Sequence, residues 1–179
     1  DAQGIAARFS LLTQKGNTAR ERGAAVIQED LRKTGLTVDV VTLEANALID
    51  RLTRGDYDAI YFGSVASDTD PAINLDFWLS TGAFHAWNPE QQRPATQWEH
   101  RIDELMHLQV ASVDQTERKR LFDLAQRVFA EEQPALYFAA PRVIIVMSSR
   151  VANAIPALLR PQVLWNADML AIRNGKANE

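Results

Sequence analysis

Cysteine is absent from this 179-residue chain, which excludes disulfide scaffolds, thiolate nucleophiles and every cysteine-based zinc or iron–sulfur centre. Positive charge is also in short supply: 19 Lys and Arg stand against 23 Asp and Glu, for a net charge of −4 and a pI near 5.4. The basic residues are dispersed and not interleaved with aromatics, so nucleic acid is not an expected partner. No run of about twenty apolar residues could cross a bilayer as a helix, and Asp1-Ala2-Gln3-Gly4 lacks the charged-then-apolar start of a signal peptide. Enzymatic signatures are missing as well. There is no G-x-S-x-G elbow and no H-E-x-x-H pair, and Gln14-Lys15-Gly16-Asn17-Thr18 lacks the second glycine and the Lys-Ser/Thr pair of a phosphate cradle. Non-catalytic behaviour with no cofactor and no metal is the expectation.

What is present suits a packed domain, because 46% hydrophobic and 23% charged residues can bury a core unaided. Arg8 to Thr13 reads as a strand. Thr18-Ala19-Arg20-Glu21 has the form of a capping box opening a helix that runs to Lys33, buries Ala24, Ala25, Ile27 and Leu31, and stops at Gly35. Thr37 to Leu43 is β-branched and strand-like, Ala47 to Thr53 is helical up to Gly55, and Tyr57 to Val65 is a nearly continuous apolar strand. Such β-α-β-α-β alternation predicts a mostly parallel sheet flanked by helices, with right-handed crossovers.

Residues 66 to 95 change character, being rich in Asp, Pro, Asn, Trp and Gly, with one short helical turn near Asn74 to Leu79. A loop of this length is usually functional when it is ordered, and Phe77, Trp78, Phe84 and Trp87 argue for order. Two further capping boxes follow. Thr96-Gln97-Trp98-Glu99 precedes Ile102, Leu105, Met106 and Val110, and Asp114-Gln115-Thr116-Glu117 precedes Leu121, Leu124, Ala125, Val128 and Phe129. The two amphipathic helices are expected to pack on one face of the sheet. Beyond Pro134, Ala135 to Ala139 and Val143 to Met147 read as strands bent apart at Pro141, and the tail carries the apolar run Val163-Leu164-Trp165.

In this order the segments resemble the family 5 extracytoplasmic solute-binding proteins of oligopeptide, dipeptide and nickel ABC importers. The unit from Ala25 to Val38 is similar to that family's "IQ..L...GI.V" helix-to-strand pattern. Gly55-Asp56-Tyr57-Asp58-Ala59, Asp68-Thr69-Asp70-Pro71, Ile102-Asp103-Glu104-Leu105-Met106 and Glu117-Arg118-Lys119-Arg120, with Gln126 and Pro134, match in turn. The resemblance runs over roughly residues 8 to 165. It implies an α/β, type II periplasmic-binding-protein-like lobe: residues 1–150 as the second, ligand-binding lobe and residues 151–179 as a C-terminal segment returning toward a first lobe. The chain would then be the C-terminal part of a longer protein in the periplasm or otherwise outside the cytoplasm, membrane-associated if lipid-anchored through its N-terminal part.

Ligands of open parallel sheets bind beyond the carboxyl ends of the strands, which points to the loop from Ala66 to Pro94. The resemblance places the residue that receives a peptide's α-ammonium group at Ser67, where a neutral hydroxyl cannot balance the charge. Asp68 or Asp70 then takes that task, or the solute differs, or the segment is merely an Asx-type turn. Trp78 and Trp87 either stack on a ligand or pack the loop onto the sheet, and His85, between Phe84 and Trp87, is either a ligand contact or a surface or half-buried histidine. Phe77 and Phe84 are expected to be core. His100, Glu104 and His107 share a helix face at metal-like spacing, but a solvated face is the preferred reading.

The expected function is capture of a peptide or peptide-like solute for an ABC importer. The expected partners are the solute, the permease subunits and the first lobe, with self-association of the isolated lobe through exposed apolar surface. The alternative is a stand-alone α/β interaction or regulatory domain that binds a partner through the aromatic loop.

Overall fold

The computed structural model describes residues 7–63, 70–137, 142, 144–157 and 161–173. The chain divides into two compact units, one of Asp1–Ser64 with Asn74–Ala135 and one of Val65–Ile73 with Leu136–Glu179.

The first unit begins with β1 (Arg8–Gln14), α1 (Thr18–Lys33), β2 (Thr37–Leu43), α2 (Ala45–Arg54) and β3 (Ala59–Tyr61). The strands form a fully parallel sheet in the order β2-β1-β3. Side chains alternate across it. Leu11 is buried with Ala24 of α1 and Val38 of β2, and Ile27, Leu31 and Tyr61 pack around them. Leu12, one residue on, points to the other face and is buried too.

The helix starts differ in detail from the sequence expectation. Asn17, not Thr18, caps α1, with its Oδ1 accepting from Arg20 N at 3.2 Å, while Glu21 reaches back to Gly16 N at 2.8 Å. Asn caps as well as Ser or Thr, so the helix is capped one residue earlier, without the reciprocal box that Thr18 and Glu21 suggested. The inward line of α1 is Ala24, Ile27, Gln28 and Leu31, with Gln28 Nε2 donating to Val38 O at 2.6 Å. Ala25, about 100° away around the helix, is exposed. Helix α2 ends as expected at Gly55 in the left-handed region.

Strand β3 is shorter than the apolar run from Tyr57 to Val65 suggests. Asp58 Oδ2 accepts from both Ser10 N and Ser10 Oγ at 2.8 Å, so a side chain stands where a ladder carbonyl would. The Tyr57 hydroxyl donates to Ala86 O. Residues 64 and 65 lie outside the described residues.

The rest of this unit is α3 (Leu75–Trp78), α4 (Gln97–Ala111) and α5 (Gln115–Glu132); a 3-10 turn over Pro71–Asn74 begins in the residues of the second unit. Thr96 and Glu99 form the expected reciprocal capping box of α4, and Asp114 Oδ1 caps α5 by accepting from Glu117 N at 2.7 Å. The expectation that both helices lie on the sheet is not met. Ile102, Leu105, Met106, Leu121, Ala125 and Phe129 form a core with the aromatic segment 75–87, and no strand residue belongs to it. Two amphipathic stripes facing each other satisfy one another, and the aromatic segment closes the remaining side. Val110, read as part of the stripe, is exposed.

The second unit contains a two-stranded antiparallel pairing of β4 (Val151–Ala152) with β5 (Ala171–Ile172). Trp165 Nε1 donates to Ile155 O, and Asn166 Nδ2 to Asn153 O at 2.9 Å. The strands expected at 135–139 and 143–147 do not form over the described residues 135–137 and 144–147; the others lie outside the description. β propensity without a ladder partner does not make a strand. Instead Leu136, Tyr137, Ile144 and Val146 are each more than 70% exposed. The isolated chain is therefore expected to self-associate, with light scattering after size exclusion showing mass above the 20.0 kDa monomer as concentration rises. A monomer throughout would refute this.

Candidate functional site

Ligands of open α/β sheets occupy the crevice beyond the carboxyl ends of the parallel strands. Here the ends of β1 and β3 are Gln14 and Tyr61. Arg20, in the first turn of α1, spans them: Nη1 donates to Gln14 Oε1 at 2.8 Å and Nη2 to Gly63 O at 3.3 Å. Its guanidinium carbon lies 5.4 Å from the centre of the Phe62 ring. Sequence reading missed Arg20, because a lone arginine early in a helix gives no signal of partners over forty residues away.

The expected ligand residues fall in different settings. Ser67 and Asp68 lie outside the described residues. Asp70 Oδ1 accepts from Ala72 N at 3.0 Å, which makes an Asx turn that opens the 3-10 segment. Trp78 is packed edge-on against Phe77, Phe122 and Phe129 at centroid separations of 5.2, 5.2 and 5.5 Å. Trp87 meets Phe77 and Phe129, each at 5.3 Å. Both tryptophans are partly buried and packed against core rings. Phe77 is core as expected, but Phe84 is not, being 55% exposed.

His85 is 1% exposed and lies 4.1 Å from Trp87, ring centre to ring centre. Its Nε2 is 3.1 Å from Glu99 Oε1, which also accepts from Gln91 Nε2 at 2.9 Å. Glu99 Oε2 accepts from Ala95 N, Thr96 N and Thr96 Oγ1 at 3.0, 2.9 and 2.9 Å. Burial alone would push the Glu99 carboxyl up, but the hydrogen bonds from His85, Gln91 and Thr96 outweigh it and hold the group below the usual carboxylate range. An ionised Glu99 requires a proton on His85 Nε2, leaving Nδ1 as the buried atom without a partner among the described residues. The capping box was legible in the sequence; its reach to His85 and Gln91 was not.

His100 and Glu104 approach to 3.8 Å on the exposed face of α4, their side chains 61% and 48% exposed. The geometry fits the solvated-face reading.

A parallel sheet flanked by helices and followed by a helical aromatic core is an α/β fold of the periplasmic-binding-protein kind. Solved structures agree on the fold. The oligopeptide-binding protein AppA from Bacillus subtilis, in complex with a nonapeptide, superposes with a TM-score of 0.61 at 21% identity over 97% of this chain and 34% of that one. The periplasmic binding protein MelB from Agrobacterium fabrum, in complex with stachyose, gives 0.62 at 20% identity over 71% of this chain and 20% of that one.

Residues 1–86 match the family model described as bacterial extracellular solute-binding proteins, family 5 Middle. Di/tripeptide-binding protein 2 of Pseudomonas aeruginosa is 29% identical over 139 residues, covering 77% of this chain and 25% of that protein. The oligopeptide-binding protein AppA of Bacillus subtilis is 25% identical over 145 residues, covering 79% and 25%. The chain is similar to the family 5 solute-binding proteins over residues 1–86, and its fold is that of periplasmic binding proteins. It spans about a quarter of the length of these curated relatives.

Proposed function

We propose that this chain serves in the capture of a peptide or peptide-like solute outside the cytoplasm, for delivery to the permease subunits of an ABC importer, with no chemical step. The observation that carries the reading is the family 5 match over residues 1–86, the part containing the whole parallel sheet, together with relatives named for di-, tri- and oligopeptides. In this reading residues 1–150 supply the second lobe, residues 151–179 return toward a first lobe, and the two lobes close on the solute by a hinge motion.

Ser67, Asp68 and Asp70 are the proposed solute-facing group. Ser67 is neutral, so Asp68 is assigned the ammonium end of a peptide, while Asp70 holds the turn through Ala72 N. Trp78, His85 and Trp87 serve in this reading as the packed base of the segment that follows, the tryptophans against Phe77 and Phe129 and His85 through Nε2 against Glu99. That packing also disfavours an autonomous domain that would recruit a partner through an aromatic loop.

The test is calorimetric titration of the full-length protein with di-, tri- and longer peptides. Saturable one-to-one binding is expected. Asp68→Asn should weaken it by about tenfold or more, the scale of one charge-assisted hydrogen bond, and Asp70→Asn by less, since Asn preserves an Asx turn. Peptide cleavage detected by mass spectrometry would overturn the non-catalytic reading, and failure of every peptide to bind would overturn the solute class.

A further inference from the structure

Two buried side-chain atoms of the first unit, His85 Nδ1 and Trp87 Nε1, have no hydrogen-bond partner among the described residues. They belong to neighbouring rings, whose centres lie 4.1 Å apart at an inclination of 56°. The segment that carries them is held from several sides. Asp103 of α4 accepts from Ser80 N and Ser80 Oγ at 2.8 and 2.6 Å, and Glu99, one turn earlier on the same helix, accepts from His85 and Gln91. His85 N donates to Gly82 O at 3.1 Å, Asn88 N to His85 O at 3.3 Å, and the Tyr57 hydroxyl to Ala86 O. Trp87 packs against Phe77 and Phe129, its ring centre 5.3 Å from each. Neither ring can turn toward the other without giving up these contacts.

The two atoms are chemically complementary. An indole nitrogen carries a proton and can only donate. Glu99 is ionised at neutral pH, because its hydrogen bonds hold it below the usual carboxylate range. It therefore takes the proton on His85 Nε2 and leaves Nδ1 able only to accept. A cation would satisfy Nδ1 but face the Trp87 N–H, and an anion would satisfy the N–H but face the Nδ1 lone pair. The species required is uncharged and both accepts and donates. It must also be small, since His85 is 1% exposed and Trp87 partly buried. Two complementary partners are enough to hold a buried water.

We propose that His85 Nδ1 and Trp87 Nε1 bind one resident water molecule, which accepts from the indole N–H and donates to the imidazole. The hydrogen bonds then run in one direction, from Trp87 through the water and His85 to the Glu99 carboxylate, and each donor in such a chain polarises the next. Glu99 sets the sense of the chain by fixing the histidine tautomer. The polar edge of Trp87 is thereby committed to the interior, and its N–H is not a donor to solute. The inference does not depend on what the protein binds.

The test is made on the full-length protein without peptide. In a high-resolution crystal structure one ordered oxygen should lie within about 3.2 Å of both atoms. In solution, with tryptophan and histidine labelled with nitrogen-15, the Trp87 indole proton should show a cross-peak to water with the sign of a direct nuclear Overhauser effect rather than of proton exchange. His85 Nδ1 should resonate as an unprotonated imidazole nitrogen. A scalar coupling between Trp87 Nε1 and His85 Nδ1, with no oxygen between them, would mean that the rings bond directly and overturns the proposal. So does a proton on Nδ1, an oxygen bonded to only one of the two atoms, or the lack of a water cross-peak at the indole.

Discussion

Phe129→Ala is expected to destabilise the first unit by about 3–5 kcal/mol, the range for emptying a buried phenylalanine site. Phe129 is 4% exposed and touches three rings at once: Phe77 at 5.9 Å, Trp78 at 5.5 Å and Trp87 at 5.3 Å. Truncation removes the shared wall of the aromatic core. The signal is a lower urea midpoint together with reduced near-ultraviolet dichroism from the tryptophans, whose edge-to-face packing would loosen. The outcome also bears on Trp78 and Trp87. If Trp87→Ala costs comparable stability, its ring works mainly in the core. A change in unfolding free energy under about 1 kcal/mol for Phe129→Ala would refute the helical core.

The second large effect concerns Glu99. Glu99→Ala should cost about 3 kcal/mol or more, because it leaves several buried donors unpaired at about 1–3 kcal/mol each. His85 and Glu99 are 1% and 2% exposed, so water cannot readily replace the lost acceptor. The pH dependence has a definite sign. The folded carboxyl titrates below its ordinary value, so its contribution is fully present above the unfolded value of about 4.3 and is lost as pH falls through the lower folded value. Wild type should therefore lose stability on acidification below about pH 4, and Glu99→Gln should lose less over the same interval. Denaturation midpoints from neutral pH down to the acid range check this; identical acid profiles for the two proteins would remove Glu99 from the account.

Local signals in the sequence were legible where local chemistry decides the structure. Thr96 with Glu99 and Asp114 with Glu117 start helices where their spacing says, Gly55 ends one, and the β-branched run Thr37 to Leu43 is a strand over its whole length. The losses are long-range. Asp58 shortens β3 by engaging Ser10 forty-eight residues away, and no pattern within 57–65 contains that fact. Whether α4 and α5 face a sheet or each other is invisible in their stripes, which are apolar in either case. For the candidate site, strand order points to the ends of β1 and β3 as the expected position, but the rings that Trp78 and Trp87 pack against were not visible in it. A tryptophan in a polar loop looks the same on paper whether it stacks on solute or on Phe129, and only the rings around Trp78 and Trp87 distinguish the two.

The two hydrophobic clusters of the first unit do not interleave along the chain: one draws on residues between Phe9 and Tyr61, the other on residues between Leu75 and Ala135. Chains are made from the N-terminus at about 5–20 residues per second. Every side chain of the sheet cluster is therefore synthesised before the first ring of the aromatic one. The parallel pairings, which demand the longer loop closures, can search for their register without competition from the tryptophans. The most adhesive part of the molecule arrives when a folded neighbour already stands.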